Sequence, residues 1–218
     1  MSDSMMVFGD YVYLDPTEHI FTFEKTQLPE KFQQIQNLSK YGYLLGYVSY
    51  EAGLFAEKSL KNMKTPLLEF FFFQKRYPVL EFQQNSLQKQ AVFCPKILQN
   101  LNETSYAKGF DTIKKNLKKG NTYQVNFTQE IHLQTTCEGM EIFLSLLKQQ
   151  NTAYKAYLKT PFVEIISFSP ELFFQIKNDE IILEPMKGTI KRGSNEEEDD
   201  KKKAIIKIIH DLVVDFLL

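Results

Sequence analysis

The amino-acid sequence predicts an α+β protein whose strands pair mostly antiparallel, with helices packed on the sheets. Short runs rich in Phe, Tyr, Val and Ile recur between turn-forming residues, as is typical of strands. Longer segments carry apolar residues at helical spacing. Four strand candidates follow one another after residue 150, and Asn178 and Asp179 form a plausible hairpin turn between the last two.

The composition of the 218-residue chain fits a folded protein of one large or two small domains. Hydrophobic residues make up 43% and charged residues 24% of the chain, which excludes the disordered class. The formal net charge of -1 gives no broad attraction to nucleic acid or to an anionic membrane. Cys94 and Cys137 lack the spacing of metal ligands and indicate a reducing compartment. The sequence has no signal-peptide pattern and no spanning segment, so we expect a cytoplasmic protein.

The N-terminal part predicts short strands around one helix. VFGDYVYL is expected to form a strand broken at Gly9, and IFTFE a second strand. In PEKFQQIQNLSKYG, a helix is predicted from the spacing of Phe32, Ile35 and Leu38. YLLGYVSYEAG then predicts a buried strand that runs into a turn. The four consecutive phenylalanines at residues 70–73 predict a strand covered on both faces.

The clearest element is a helix predicted over NETSYAKGFDTIKKNLKKG. Thr104 or Ser105 is expected to cap its start, and Gly120 is expected to close it. Its single apolar stripe consists of Tyr106, Phe110, Ile113 and Leu117.

A strand with one polar face is predicted next, because TYQVNFTQEIHL alternates without error. Gln124 and Asn126 on the polar face could approach a site, although a solvated face fits the pattern equally well. EGMEIFLSLLKQQ then predicts an amphipathic helix, and AYKAYLK, FVEIISF, ELFFQIK and EIILEPM are the four later strand candidates. The acidic and basic run after residue 193 predicts a solvated loop that leads to a last helix.

Glu171 and Lys187 are the pair of residues best suited to chemistry. Glu171 begins the strand candidate ELFFQIK, and Lys187 follows the next candidate, EIILEPM. In an antiparallel hairpin these two strand ends meet, so a carboxyl and an amine would line one region. Such a pair suits general acid catalysis beside an amine nucleophile. A surface hairpin that ends in a Glu-Lys ion pair fits the same residues.

A nucleophilic lysine has to be neutral, whereas a free lysine has a pKa of about 10.4. Burial, or nearby cations such as Lys191 and Arg192, would have to lower the pKa of Lys187. Gly188 would allow a ligand to approach the backbone closely. Thr189 offers a hydroxyl and a backbone N–H to an anion. Gly188 and Thr189 are therefore candidate substrate-binding residues.

Four stretches in series resemble the motifs of the chorismate-utilising enzymes, a family that includes anthranilate synthase large chains, isochorismate synthases and aminodeoxychorismate synthase component I. They are GYVSYEAG, GNTYQVNFTQ, SPELF and EPMKGTIKRG, and the resemblance runs from about Val7 to Gly193. It implies a fold of large antiparallel sheets packed in a sandwich with outer helices. We predict one such domain over residues 1–218, with a strand-rich subregion at 1–100 and the start of the catalytic region at 101–218.

The resemblance also implies roles for single residues. Lys187 in the P-x-K-G-T stretch is similar to the lysine of the aminodeoxychorismate synthases, where the other two groups typically carry alanine. Its amine would add to C2 of chorismate while the C4 hydroxyl leaves. Ammonia would then add at C4 and expel the lysine amine from C2. Glu171 would be the general acid-base, with Gly188 and Thr189 holding substrate. The product, 4-amino-4-deoxychorismate, leads to p-aminobenzoate and folate. Family members use Mg²⁺ and usually work with a glutamine amidotransferase subunit.

Two departures from the family pattern concern the C-terminal part. The resemblance implies a metal-binding Glu in the next helix, but Ile209 stands at that position when His210 and Asp215 are matched to the pattern, and Mg²⁺ demands oxygen ligands. The sequence also stops before the strands, the Gly-rich loop and the second metal-binding carboxylate of the family, so we expect a truncated chain. A catalytically inactive remnant that only binds a ligand or partner is the alternative, and an anthranilate or isochorismate synthase is a further one.

Overall fold

The computed structural model describes six segments of the chain, and the side chains of the last helix are described as far as Lys207. The described residues are 5–53, 64–79, 95–99, 102–150, 152–184 and 190–217. The chain forms two compact units, one made of Met1–Asn151 with Ala156–Ile166, and the other of Thr152–Lys155 with Ser167–Leu218. The predicted subdivision at residue 100 stays a prediction.

The described elements are twelve strands and five α-helices in an α+β arrangement. The strands are β1 (Met6–Phe8), β2 (Tyr11–Tyr13), β3 (Glu18–Thr22), β4 (Tyr43–Val48), β5 (Leu68–Phe73), β6 (Tyr77–Pro78), β7 (Lys96–Gln99), β8 (His132–Gln134), β9 (Tyr154–Lys159), β10 (Glu164–Ser169), β11 (Leu172–Lys177) and β12 (Glu180–Glu184). The helices are α1 (Leu28–Leu38), α2 (Tyr50–Gly53), α3 (Glu103–Lys118), α4 (Gly139–Leu147) and α5 (Glu196–Leu217). Each strand pair whose register is described is antiparallel, which confirms the predicted class.

The first unit contains a sheet of strand order β10-β9-β1-β2-β6. The strand predicted to break at Gly9 is a hairpin, since Gly9 has a φ of 57° and Val7 pairs with Val12 across the turn. On its other side Val7 pairs with Tyr157 of β9. Residues near the chain start are thus held in the interior of this sheet.

A second sheet in the first unit has the order β3-β5-β4, with α1 packed against β3 and β5. Its central strand β5 carries the four phenylalanines predicted to be covered, and Phe71 pairs with both His19 and Leu45. A shared core receives side chains from both sheets. Its buried members are Met6, Tyr13, Leu45, Phe71, Phe73, Ala156 and Leu158.

A close contact with the backbone of β5 requires the glycine at position 46. A Cβ at Gly46 would overlap the Glu69 carbonyl oxygen and lie 2.6 Å from the Cα of Phe70. A Cβ at Gly139, the first residue of α4, would overlap the carboxylate of Glu164, which is the end of a flexible side chain and can move aside. Backbone atoms cannot move aside in this way, so a side chain at position 46 is excluded.

Helix α3 forms as predicted, but its cap differs from the prediction. The side chain of Asn102, rather than Thr104 or Ser105, caps the helix by accepting a hydrogen bond of 3.1 Å from the backbone N–H of Ser105. Because Asn102 is the residue with extended backbone, it is the one whose side chain can reach the exposed N–H groups. Gly120 follows the helix with a φ of 71°, as expected for its end.

The long strand predicted over TYQVNFTQEIHL is wrong for most of its length. Only β8 at its end pairs, with β7, while residues 122–131 have no regular structure. Within this stretch, Phe127 packs on α3, where its ring stacks on Tyr106 with 5.4 Å between ring centroids. Alternation favours an extended chain, but a strand also needs a neighbour, and the described residues provide none for this stretch.

The second unit consists mainly of the β11–β12 hairpin and α5. Asn178 and Asp179 turn the hairpin with φ values of 52° and 64°, as a two-residue turn requires. The acidic run predicted as a loop forms the first turns of α5, which Asn195 caps through the backbone N–H of Glu198. Acidic side chains favour a helix N-terminus, and ion pairs with lysines four residues later add to that preference. No α-helix in the described residues is both long and apolar enough to cross a membrane.

Candidate active site

Glu171 lies at the open end of the β11–β12 hairpin, beside the end of β12. The first pair of the ladder joins Leu172 to Glu184, so the residue after Glu171 is directly opposite the last residue of β12. Lys187 follows Glu184 by three positions, but Lys187, Gly188 and Thr189 lie outside the described residues. The hairpin itself is therefore confirmed, whereas the meeting of Glu171 and Lys187 stays a prediction.

A cavity of about 570 Å³ opens beside Glu171 in the second unit. Its walls are mainly apolar, and its two polar side chains are a hydroxyl and a carboxyl. The lining residues are Ser169, Glu171, Leu172, Phe173 and Leu183. A cavity with apolar walls and one carboxyl can hold a compact ring and deliver or accept a proton at one side of it.

A β-bulge shapes the wall of this cavity. After Leu172–Glu184, the next pair in the ladder is Gln175 with Ile182, so β11 has one more residue than β12 in this interval. Phe173 lies within the bulge, is 84% exposed and lines the cavity. Bulges of this kind redirect side chains next to active sites.

Tyr154 is a neighbour of the hairpin that the sequence did not indicate. Its hydroxyl donates a hydrogen bond of 2.5 Å to Oε2 of Glu184 at the end of β12. This hydrogen bond, more than burial, raises the pKa of Tyr154 above its usual range, so the phenol remains a donor. The two residues are thirty positions apart, and no sequence pattern links them.

Arg192 is paired with Asp199 and is not an isolated cation. The guanidinium binds the carboxylate at two points, Nε to Oδ1 at 2.8 Å and Nη2 to Oδ2 at 2.5 Å, and the Gly193 N–H also donates to Oδ1. The hydrogen bond from Arg192 lowers the pKa of Asp199. The expectation that Arg192 lowers the pKa of Lys187 stays a prediction, because Lys187 lies outside the described residues.

Comparison with known proteins decides the family. The family model described as chorismate binding enzyme matches residues 10–207. The chain belongs to the chorismate-binding enzyme family. Glu171, the cavity beside it and the β11–β12 hairpin all lie within the matched region.

Relatives in the chorismate-binding family are similar over part of their length. Aminodeoxychorismate synthase component 1 of Escherichia coli is 32% identical over 123 residues, which are 56% of this chain and 27% of that protein. An uncharacterized PabA-like protein of Haemophilus influenzae is 32% identical over 146 residues, 59% of this chain and 42% of the relative. Anthranilate synthase component 1 1 of Haloarcula marismortui is 33% identical over 97 residues, which are 44% of this chain and 20% of that protein. The matches thus span less than half of each of these curated relatives.

The Mg²⁺ implied by the chorismate-binding family finds no complete ligand set in the described residues. No group of three or more His, Cys, Asp or Glu side chains comes together there in a way that could hold a metal ion. Glu171 and Glu184 are two carboxyl side chains at the hairpin end. The carboxylate of Glu184 accepts a hydrogen bond from Tyr154, whereas Ser169 is hydrogen-bonded to the backbone of Glu171. The described residues alone therefore do not supply three such side chains for a metal ion.

A buried histidine–carboxyl contact is the other group that sequence reasoning missed. Nε2 of His19 lies 2.8 Å from Oε1 of Glu69, whose side chain is 0% exposed. The imidazole stacks on Phe71 with 4.2 Å between ring centroids. Burial, together with the Glu69 carboxyl group, raises the pKa of Tyr47 on the neighbouring strand. Glu69 lies in the aromatic run LLEFFFF, which does not indicate a partner for its side chain.

Proposed function

We propose that the chain carries the ring-amination chemistry of aminodeoxychorismate synthase component I, which converts chorismate and ammonia to 4-amino-4-deoxychorismate. The observation that carries the proposal is the position of Glu171. It lines an apolar cavity at the end of a hairpin whose other strand, β12, ends three positions before Lys187 in the sequence. The similarity to aminodeoxychorismate synthase component 1 of Escherichia coli supports the same reaction.

Glu171 acts as the general acid in this proposal. Hydroxide is a poor leaving group, so the C4 oxygen of chorismate departs as water when the Glu171 carboxyl gives it a proton. The neutral amine of Lys187 forms a bond to C2 as the C4–O bond breaks, and the two conjugated double bonds of the ring shift from C1=C2 and C5=C6 to C1=C6 and C4=C5. The added amine then loses a proton, and the Glu171 carboxylate is available to accept one.

The second half of the reaction reverses the displacement. Ammonia forms a bond to C4, both ring double bonds shift back, and the Lys187 amine leaves C2 with a proton from the Glu171 carboxyl. The Glu171 carboxylate then accepts a proton from the new ammonium group at C4. Lys187 is regenerated, so the net change replaces the C4 hydroxyl by an amino group and releases water. Gly188 and Thr189 are proposed to hold the substrate close to the backbone, and Phe173 and Leu183 offer apolar contacts to the ring.

The remaining expectations are part of the proposal. The family's two-sheet sandwich with outer helices and a Mg²⁺ ion on the substrate carboxylate are carried over from the resemblance, and a cytoplasmic location is carried over from the sequence. Ammonia would come from a glutamine amidotransferase subunit. The similarity to PabA-like proteins of Pasteurella multocida and Haemophilus influenzae supports such a partner. Because the chain spans part of the length of its relatives, ligands for Mg²⁺ are proposed to come from residues outside those described.

Two other functions are favoured by specific observations. Anthranilate synthase chemistry is supported by the similarity to anthranilate synthase component 1 1 of Haloarcula marismortui. A module that binds chorismate without converting it is supported by the short span of the match, 27% of the Escherichia coli protein. Lys187 in EPMKGT weighs against the anthranilate synthase reaction, since that group typically carries alanine at this position.

The experiment that tests the proposal measures binding and products together. Purified chain is titrated with chorismate by calorimetry and then incubated with chorismate, Mg²⁺, ammonium chloride and aminodeoxychorismate lyase. We expect p-aminobenzoate as the product. Its formation should be abolished by Lys187→Ala, lowered by about 10²- to 10⁴-fold to a residual rate by Glu171→Gln, and unchanged in the control Lys177→Ala. Anthranilate as the main product would favour the anthranilate synthase reaction. Binding without any product would favour the binding module, and the absence of both would refute the proposal.

A further inference from the structure

We propose that Ser169 is a positioning residue that fixes the backbone of Glu171 at the wall of the cavity. This inference rests on the proposed function, in which Glu171 is the general acid. Ser169 acts through Glu171 rather than on the substrate itself. It does so through the three-residue loop formed by Ser169, Pro170 and Glu171.

The Ser169 hydroxyl binds the backbone of Glu171 at both of its polar groups. Oγ of Ser169 donates a hydrogen bond of 2.8 Å to the carbonyl oxygen of Glu171. The same oxygen accepts a hydrogen bond of 3.1 Å from the backbone N–H of Glu171. Serine commonly makes such local contacts with the residue two positions later. Because Pro170 fixes its own φ, the loop has few remaining degrees of freedom.

These two hydrogen bonds act where the strand ladder begins. The ladder between β11 and β12 starts with Leu172 and Glu184, and it is then interrupted by the bulge before Gln175 and Ile182. Glu171 precedes the first of these pairs. The Ser169 hydroxyl therefore holds Glu171 at a point that the regular pairing of the hairpin does not include.

Ser169 and Glu171 also line the same cavity. The apolar walls come from Leu172, Phe173 and Leu183, and they do not depend on the Ser169 hydroxyl. Loss of that hydroxyl should therefore displace the proton donor without removing the ring contacts. A displacement near 1 Å at a reacting group lowers the rate of a step by roughly 100-fold.

The test compares Ser169→Ala with Ser169→Thr and with Ser167→Ala. Threonine retains the hydroxyl and suits the extended backbone at the end of β10. Ser167 lies on the same strand, is half-buried like Ser169 and does not line the cavity, so it is the matched control. We expect Ser169→Ala to lower kcat by about 10- to 100-fold and to leave the Kd for chorismate within about twofold. Ser169→Thr should recover most of kcat, and Ser167→Ala should retain it.

Making Ser169→Ala in the Glu171→Gln variant separates a positioning role of Ser169 from a general structural role. In Glu171→Gln, which lacks the proton donor, Ser169→Ala should cause no further loss of kcat. The inference would be overturned if Ser169→Ala lowered kcat by the same factor in Glu171→Gln as in the unmodified chain. So would a rise in Kd that accounts for the whole effect, since Ser169 would then act on substrate binding.

A third measurement does not depend on turnover. The backbone N–H of Glu171 should exchange with solvent at least about tenfold faster in Ser169→Ala than in the unmodified chain, because one of its hydrogen bonds is lost. Unchanged exchange would overturn the inference even if the enzyme is active. If exchange rises as expected but the unmodified chain neither binds nor converts chorismate, the proposed function fails while the role of Ser169 in holding Glu171 is upheld.

Discussion

The hydroxyl of Tyr154 on β9 and the carboxylate of Glu184 on β12 are joined by a hydrogen bond of 2.5 Å. Glu184 also pairs through its backbone with Leu172, the residue after Glu171. The end of β12 is thus held on one side by its hairpin partner and on the other by a phenol. Both contacts lie within the second unit.

The first prediction concerns the titration of Tyr154. Glu184→Gln removes the carboxylate that raises the pKa of this phenol, so its pKa should fall towards the ordinary value. The change can be followed by NMR of ring-labelled tyrosine, with Tyr154→Phe used to assign the signal. Glu180→Gln at the other end of β12 should leave the titration unchanged. If Glu184→Gln has no effect on the Tyr154 titration, the hydrogen bond does not persist in solution.

The second prediction compares two His–Glu pairs of different burial. His19→Phe leaves the buried Glu69 carboxyl group without its hydrogen-bond partner and should lower the free energy of unfolding by about 1–3 kcal/mol. Adding Glu69→Leu should recover most of that loss, because the buried polar group is removed as well. Urea denaturation measures all of these variants.

The matched control for this prediction is the pair formed by His132 and Glu130. Their side chains are 52% and 88% exposed, so His132→Phe should change the free energy of unfolding by less than about 0.5 kcal/mol. Equal losses for His19→Phe and His132→Phe would contradict the view that burial decides the effect.

The third prediction concerns the close approach at Gly46. Gly46→Ala places a methyl group against the backbone of β5, which cannot move as the end of a flexible side chain can. We expect a loss of about 1–3 kcal/mol or more in the free energy of unfolding, measured by thermal or urea denaturation. Gly53→Ala, where a Cβ meets no atom within 4 Å, is the control and should be tolerated. A stable Gly46→Ala variant would show that β4 and β5 are further apart than described.

The fourth prediction is a pH dependence at the start of α5. Hydrogen bonds from Lys202 and then Ser194 lower the pKa of Glu198 from 4.5 to about 2. A depressed pKa in the folded state means that Glu198 stabilises the fold above its unfolded pKa, near 4.5, and that this contribution is lost as the pH falls towards 2.

The measurement for this prediction is hydrogen exchange in α5 as a function of pH. The protection difference between the unmodified chain and Glu198→Gln should be constant above about pH 4.5 and should disappear towards pH 2. A difference that is independent of pH over this range would show that the charge of Glu198 is not responsible. Glu196→Gln in the same helix serves as the control.

Elements with local signals could be predicted from the sequence. Asn178 and Asp179 readily adopt the positive φ values of the hairpin turn, so the residue types alone indicate the turn. The covered strand at residues 70–73 is a continuous apolar run in the sequence. The position of Glu171 at the hairpin end followed from those strands. The strand predicted over residues 122–131 was wrong, because the alternation of apolar and polar residues does not reveal whether a partner strand is present.

Contacts between residues far apart in the sequence could not be predicted from local patterns. Glu69 and His19 are fifty positions apart, and the aromatic run around Glu69 hides the single carboxylate that needs a partner. Tyr154 and Glu184 carry no spacing or motif that would join them. The role of Lys187 could be proposed only from the resemblance to a family, and the residue lies outside those that the structure describes.

The close approach of β4 and β5 at position 46 has an evolutionary consequence. The atoms that a methyl group would meet there include the main chain of β5, so no change of a neighbouring side chain makes room for one. At position 139 the nearest atom is the end of the Glu164 side chain, which can turn away or be shortened. A second substitution can therefore relieve a new side chain at position 139 but not at position 46, so glycine should persist at position 46 among descendants of this chain.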